Sequence, residues 1–210
     1  MSALRPDART ARVLRSRSTA AATLGELTAG CRVVGVTRGQ FSLLDLIEAC
    51  LVKTGPAEVL VSTWTPGIAE MERVLRLLET GLVSGFQLLV DRSFPGRHPK
   101  YVARVTEICG LGAIRKTRTH AKFALIHSGG YWITIRTSMN FNTNPRLEQF
   151  DLDDDPAIYE LFAGVAQELF EDVGPGLAAP EAEVQRGFRH LQFDLGMPTT
   201  ADDLNAAFRR

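Results

Sequence analysis

The chain has 210 residues, of which 45% are hydrophobic and 23% charged, which suits one globular domain with a buried core and excludes a disordered chain. Its 24 Lys and Arg residues balance 24 Asp and Glu residues, so local basic patches would have to hold any polyanionic partner. No apolar run approaches the roughly 20 residues of a membrane-spanning helix, and no apolar signal-peptide core follows the arginine-rich N-terminus. We therefore expect a cytoplasmic protein with no membrane partner.

The first predicted unit, residues 1–22, is a flexible basic arm with little apolar surface to bury. Its single acid is Asp7, and its basic residues are Arg5, Arg9, Arg12, Arg15 and Arg17. Such a segment acts either as a solubilising tail or as a nucleic-acid-binding arm, and the sequence leaves both alternatives open.

Residues 23–173 are predicted to form the main domain, which begins with alternating strands and helices. Arg32–Val36 is a short apolar strand, and Ser42 with Asp45 forms a capping-box pattern that begins a helix. Glu58–Thr63 is a second, buried strand, and the helix after it is predicted to carry Pro66 at its first position.

The same alternation continues with the strand Phe86–Val90 and a helix that begins at Pro99. Alternating strands and helices are typical of a parallel sheet covered by helices. Three strand-like runs then follow without helices, Ala113–Arg118, Lys122–His127 and Tyr131–Thr137, and a Ser-Gly-Gly turn separates the last two. The sequence therefore predicts an α/β fold with a mixed sheet flanked by helices, in which βαβ units precede an antiparallel hairpin.

The end of the domain is predicted to be a helix that begins at Pro156, and residues 174–210 are predicted to be a linker with a C-terminal helical tail. An acidic run precedes this helix and consists of Asp151, Asp153, Asp154 and Asp155. A metal site is one interpretation of the run, but a helix N-terminus attracts acidic residues by itself. We prefer the helix explanation and predict no metal and no cofactor.

The residues that carry chemistry flank the predicted hairpin. His120 and Lys122 lie at the start of one strand, and alternation along a strand puts them on the same side. A hairpin returns Ser138 and Asn140 to the same place, and Glu148 follows. Lys122 and Asn140 can hold the non-bridging oxygens of a phosphodiester while His120 attacks phosphorus. A carboxylate such as Glu148 can fix the tautomer of the imidazole and stabilise its cation.

This pattern resembles the HxK…GSxN…E signature of the phospholipase D superfamily, and the order of elements over residues 32–170 resembles one half of that fold. The resemblance implies that His120 becomes a phosphohistidine and that Lys122 and Asn140 bind phosphate. It also implies that Ser138 supports the site and that Glu148 contacts the imidazole. Family members with one motif generally pair as homodimers, each subunit contributing one histidine, and need no metal.

Two positions depart from the family signature. His127 stands where the family has an aspartate, and Thr137 stands where it has the glycine before the serine. These departures support an alternative from another class, a catalytically inactive member that binds DNA or a protein partner as an assembly factor. A lipid-transferring enzyme is a third alternative, although the sequence has no amphipathic membrane-binding segment with an aromatic anchor.

Basic residues before the motif indicate the substrate. Eight of them lie between Asp91 and Lys122, and they are Arg92, Arg97, Lys100, Arg104, Arg115, Lys116, Arg118 and Lys122 itself. They predict a positively charged entrance to the site, called the basic mouth below, and therefore a nucleic-acid substrate. The predicted substrate-binding residues are Arg118, Arg146, Ser62 and Thr63, the last two because they end a strand, where open α/β sheets place their sites. The sequence thus predicts a homodimeric, metal-independent phosphodiesterase, a nuclease of phospholipase D type.

Overall fold

The computed structural model of the chain describes residues 12–15 and 19–178. The strands are Arg12–Arg15 (β1), Arg32–Thr37 (β2), Ala57–Thr63 (β3), Val83–Asp91 (β4), Ile114–Thr117 (β5), Phe123–Ser128 (β6), Tyr131–Thr137 (β7) and Glu148–Asp154 (β8). The helices are Ala20–Leu24 (α1), Leu43–Thr54 (α2), Ile68–Glu79 (α3), Phe94–Arg97 (α4), Pro99–Cys109 (α5) and Pro156–Asp172 (α6). The strands form one sheet in the order β1-β2-β8-β7-β6-β3-β4-β5.

The sheet is mixed, as the sequence predicts. Strands β3, β4 and β5 are parallel, and helices connect them as βαβ crossovers. Strand β6 runs antiparallel to β3 and forms the predicted hairpin with β7, from Phe123 opposite Arg136 to Ser128 opposite Tyr131. The predicted fold class, an α/β mixed sheet flanked by helices, is therefore confirmed.

Helices cover the two faces of the sheet unequally. Side chains such as Val61 and Ile135 point to one face and pack against α1, α2, α3 and α5, where the larger core lies. On the other face, Phe123 and Leu125 pack against Leu169 of α6 in a smaller apolar cluster. Because successive strand residues alternate between faces, both clusters draw on the same strands.

Local signals in the sequence explain where the helices begin. Helix α2 has the predicted capping box, in which Ser42 Oγ accepts from Asp45 N at 3.3 Å and the Asp45 carboxylate accepts from Ser42 N at 2.7 Å. Helix α3 begins at Ile68, so the prediction that Pro66 is its first residue is wrong. The reason is that Gly67 donates its N–H to the carbonyl of Phe141 and stays extended.

Part of the segment predicted as a flexible arm belongs to the sheet. Strand β1 pairs in parallel with β2, and Thr19 caps α1, whose Ala20 and Leu24 are buried. The boundary at residue 23 is therefore corrected, while residues 1–11 and 16–18 lie outside the described residues. The other boundary moves as well, because Gly176 donates to the carbonyl of Ile114 at 2.9 Å and Leu177 is buried. The tail from residue 179 lies outside the described residues.

The acidic run before α6 is a strand, which the sequence analysis missed. In β8, Asp153 is buried and forms ion pairs with Arg32 and Arg136. The Asp154 carboxylate accepts hydrogen bonds from two backbone N–H groups, those of Gly30 and Trp132. The helix-terminus explanation is wrong for these two residues and correct for a third, Asp155, which caps α6 with its side chain.

No group of three or more His, Cys, Asp or Glu side chains in residues 12–15 and 19–178 has the arrangement of a metal site. Within the same ranges, no helix combines the length and the apolar character that crossing a bilayer requires.

Candidate active site

The predicted site residues converge on one edge of the sheet. The end of β3 lies beside the start of β6, since Ser62 pairs with Phe123, and the end of β7 lies beside the start of β8, since Thr137 pairs with Phe150. The hairpin joins the two halves of this edge. The segment before β6, the loop after β7 and the first residue of β8 therefore meet, as the sequence predicts.

The segment that carries His120 and Lys122 precedes β6 instead of starting it. Three hydrogen bonds hold its backbone: Ser62 Oγ donates to the Ala121 carbonyl at 2.9 Å, Ala121 N donates to Thr119 Oγ1 at 3.1 Å, and Thr137 N donates to the Lys122 carbonyl at 3.0 Å. Strand β3 thus holds one side of the motif and strand β7 the other.

His120 and Lys122 contact each other directly. Lys122 Nζ lies 3.3 Å from His120 Nδ1 and donates to the His120 carbonyl at 3.0 Å. A protonated amine has no lone pair, so Nδ1 is the acceptor of this contact and the proton of a neutral imidazole is on Nε2. His120 is exposed and Lys122 is half-buried. Burial lowers the pKa of the Lys122 ammonium, and the negative charge of Glu148 acts against that shift.

Glu148 contacts Ser138 and not the imidazole in this structure. Ser138 Oγ donates to the Glu148 carboxylate and accepts from Gln149 N at 3.0 Å, while Ser138 N donates to the Gln149 carbonyl at 3.1 Å. These bonds extend the β7–β8 pairing beyond the end of β7. Among the described residues, the predicted contact between Glu148 and His120 is therefore not made, although Glu148 acts on the neighbouring Lys122 through its charge.

Asn140 lies in the loop after β7, between two buried side chains, Met139 and Phe141. Phe141 N donates to Thr63 Oγ1 at 2.9 Å, which fixes the loop to the end of β3. The Asn140 amide oxygen is buried without a hydrogen-bond partner among the described residues. Buried polar atoms are almost always paired, so the unpaired oxygen makes Asn140 a candidate ligand-binding residue.

The four predicted substrate-binding residues separate into two pairs. Ser62 and Thr63 are 1% and 0% exposed, and their hydroxyls bind the protein itself, so the structure gives them a positioning role instead of the predicted substrate contact. Arg118 and Arg146 are exposed beside the motif and before β8. Their contact with a substrate stays a prediction.

His127 lies at the opposite end of β6 from His120. Its ring packs 4.0 Å from the ring of Trp132 and 5.9 Å from that of Tyr159, under helix α6. It therefore lies at the hairpin end, away from the residues of the motif.

Two of the eight basic residues that were predicted to form the basic mouth bind other parts of the protein. Arg104 forms a bidentate ion pair with Glu72 and a second pair with Glu107 on the α3–α5 surface. Arg115 packs its guanidinium 4.6 Å from the ring of Phe170 and donates to the carbonyl of the same residue at 3.1 Å. Both interactions lie away from the motif, since they use α5 and α6.

Sequence reasoning missed a contact between Trp64 and the motif. The Trp64 ring lies 5.9 Å from the His120 ring at 48°, and the Arg97 guanidinium lies 3.9 Å from the Trp64 ring centre. The position of Trp64 directly after β3 was the available signal. No local pattern pairs it with Arg97, which is 33 residues away.

A cavity of about 570 Å³ lies elsewhere, between the sheet and α6. Glu58, Gln87, Tyr159, Gln167 and Phe170 are among the residues that line it. It contains none of the motif residues, so the candidate site is an open edge of the sheet and not this cavity.

No protein-family model and no curated protein sequence matches this chain. Solved structures similar to it include Nuc from Salmonella typhimurium, described as a phospholipase D family member, with 12% identity over 67% of this chain and 93% of that one and a TM-score of 0.47. NucT from Helicobacter pylori is 12% identical over 69% of this chain and 98% of that one, with a TM-score of 0.49. TrmBL2, an archaeal chromatin protein described as showing a novel mode of DNA binding, is 13% identical over 66% of this chain and 52% of that one, with a TM-score of 0.44. At these identities the similarity concerns the fold alone.

Proposed function

We propose that this protein is a phosphodiesterase of phospholipase D type, a metal-independent nuclease in which His120 forms a phosphohistidine intermediate. The observation that carries the proposal is the contact between His120 and Lys122 at the sheet edge that also holds Asn140, whose amide oxygen is unpaired among the described residues. An exposed imidazole, an ammonium and an amide at one edge provide a nucleophile and two groups for the oxygens of a phosphodiester.

In the first step an imidazole nitrogen of His120 attacks phosphorus. When the Lys122 ammonium binds a phosphate oxygen, it no longer contacts Nδ1 of His120. The lone pair of Nδ1 is then free to attack. The Asn140 carboxamide can donate from its NH2 group to a phosphate oxygen. The new P–N bond forms as the P–O bond to the leaving alcohol breaks, and the leaving oxygen takes a proton from a general acid.

In the second step water attacks the phosphohistidine. A new P–O bond forms as the P–N bond breaks, and the group that gave its proton to the leaving alcohol takes a proton from the attacking water. The phosphomonoester leaves, and His120 and the general acid return to their original states. The histidine is the nucleophile of the first step, and in the second step the proton acceptor activates water, so the proposed reaction uses no metal. The charge of Glu148 favours the ammonium form of Lys122, and its hydrogen bond with Ser138 keeps the carboxylate in place.

The general acid is proposed to come from a second copy of the chain. The sequence contains one such motif, and the resemblance implies that two subunits each contribute a histidine. The active species is therefore proposed to be a homodimer. Light scattering that finds only a monomer at the concentrations used for activity would contradict this part of the proposal.

A nucleic acid is proposed as the substrate because exposed arginines lie near the motif. Arg118 directly precedes it, and Arg146 lies in the loop before Glu148. These arginines can pair with the phosphates on either side of the scissile phosphate in a nucleic acid. A small neutral headgroup has no such flanking phosphates.

The test is hydrolysis of bis(4-nitrophenyl) phosphate and of a single-stranded oligonucleotide in the presence of EDTA. Wild-type protein should hydrolyse both, and His120→Ala should abolish both activities. The matched control is His127→Ala, because it removes the other histidine of the same strand region. If wild-type protein binds DNA and hydrolyses neither substrate, the inactive assembly factor replaces the enzyme as the explanation.

A further inference from the structure

We propose that Arg97, held over the ring of Trp64, binds a phosphate that flanks the scissile one, so that the site prefers a polyanionic strand to an isolated diester. This inference rests on the proposed phosphodiesterase function and names a residue of substrate recognition. It does not follow from the motif, since neither residue belongs to it.

Trp64 joins this arginine to the nucleophile. Its ring contacts both groups, with the guanidinium 3.9 Å from the ring centre and the centre of the His120 ring 5.9 Å from it. A guanidinium over an indole face is attracted by the negative charge of that face. The cation is thus one aromatic ring away from the residue that is proposed to attack phosphorus.

Hydrogen bonds fix the guanidinium in this position. Its Nη2 donates to Thr65 Oγ1 at 2.8 Å and to the Trp64 carbonyl at 3.3 Å, and its Nε donates to Ser93 Oγ at 3.1 Å. Ser93 is itself held by the carboxylate of Asp91. An arginine fixed in this way loses little further side-chain entropy when it binds an anion.

The positive charge of Arg97 is available for a ligand. The residue is exposed, and within residues 12–15 and 19–178 no carboxylate forms an ion pair with it. Arg73 and Arg104, by contrast, are each paired with two acids. None of the Arg97 bonds described above uses Nη1, and a guanidinium can bind phosphate through two donors.

The flanking phosphate is the best match for this group. Lys122 and Asn140 are already the proposed ligands of the scissile phosphate, and Arg97 contacts Trp64 and not these two residues. A single strand carries one phosphate per nucleotide, so an extended substrate bound at His120 places further phosphates along the protein surface.

The experiment compares Arg97→Ala and Arg97→Lys with wild type, and uses Arg104→Ala as the matched control on the neighbouring helix. Binding of a single-stranded oligonucleotide is measured over a range of salt concentrations, and kcat/KM is measured on the oligonucleotide and on bis(4-nitrophenyl) phosphate. Arg97→Ala should lower the log–log salt slope by roughly 0.7, the value for one phosphate contact on a single strand. It should also lower kcat/KM on the oligonucleotide roughly tenfold more than on the small diester.

Arg97→Lys should keep most of the salt slope, because the charge remains, and Arg104→Ala should change neither measurement. An unchanged slope for Arg97→Ala, or an equal loss of activity on both substrates, would overturn the inference. The slope is a binding measurement, so it decides the role of Arg97 even if the wild-type protein proves inactive. Loss of activity in His120→Ala together with an unchanged slope in Arg97→Ala would leave the proposed function standing and refute only this inference.

Discussion

The hydroxyl of Ser62, buried at the end of β3, donates a 2.9 Å hydrogen bond to the carbonyl of Ala121. Ala121 lies between the proposed nucleophile and the proposed phosphate-binding lysine, so this bond ties the motif to the neighbouring strand. The position of the motif is therefore set by a residue 59 positions away in the chain.

Ser62→Ala should lower kcat on a small diester more than it raises KM, because it loosens the segment that positions His120. It should also lower the free energy of unfolding by about 1 kcal/mol, the usual value of one hydrogen bond. The matched control is Ser128→Ala, since Ser128 Oγ donates to the Thr54 carbonyl at the same distance, 2.9 Å, at the other end of β6. An equal fall in kcat in both variants, measured by steady-state kinetics beside urea denaturation, would show that the Ser62 bond has no special role.

Glu148→Gln should move the alkaline limb of the activity profile to lower pH. Burial lowers the pKa of Lys122 and the charge of Glu148 raises it, so removing that charge lowers the pKa further. The ammonium that holds phosphate then loses its proton at a lower pH. The measurement is kcat/KM on bis(4-nitrophenyl) phosphate as a function of pH.

The control for this shift is Glu160→Gln, which removes one charge from the exposed side of α6. Its profile should coincide with that of wild type. A Glu148→Gln profile that keeps its alkaline limb, or moves it to higher pH, would contradict the electrostatic role of Glu148.

Ser42→Ala should lower the free energy of unfolding by about 1 kcal/mol without changing activity per folded molecule. Ser42 accepts the N–H of Asp45 at the start of α2, and an alanine cannot replace that bond. Ser42→Gly should cost only a few tenths of a kcal/mol, since glycine is a tolerated N-cap. Urea denaturation of both variants checks the difference, and a Ser42→Ala variant as stable as wild type would argue against a contribution of the capping bond.

His127→Ala should lower stability by about 1 kcal/mol and leave activity per folded molecule unchanged. The imidazole packs on the rings of Trp132 and Tyr159, so its removal costs aromatic contacts at the far end of the hairpin. Replacing it by phenylalanine should recover most of the stability. Activity that falls as far as in His120→Ala, in a variant that remains folded, would reverse the roles assigned to the two histidines.

The sequence predicts most of the fold where a local signal exists. The capping box at Ser42 predicts the start of α2, and the Ser-Gly-Gly turn predicts the β6–β7 hairpin, because each signal involves residues that are close in the chain. Strand β8 was missed because its acidic residues resemble a helix start. Its Asp153 is tolerated in the sheet only through two distant arginines, Arg32 and Arg136.

The sequence likewise predicts only part of the candidate site. The hairpin geometry predicts that Ser138 and Asn140 return to the edge where His120 lies, and the structure has them there. The positioning role of Ser62 and the contact between Trp64 and Arg97 depend on side chains from separate strands and helices. Such contacts follow from the assembled sheet and leave no local pattern in the sequence.

The covalent intermediate at His120 is the most direct test of the proposed chemistry. Wild-type protein is mixed with a radiolabelled oligonucleotide, denatured at alkaline pH during turnover, digested, and mapped by peptide mass analysis. We expect the label on the peptide that contains His120, together with its absence from His120→Ala and its persistence in His127→Ala. Label on another residue, or label retained in His120→Ala, would contradict the assignment of His120 as the nucleophile.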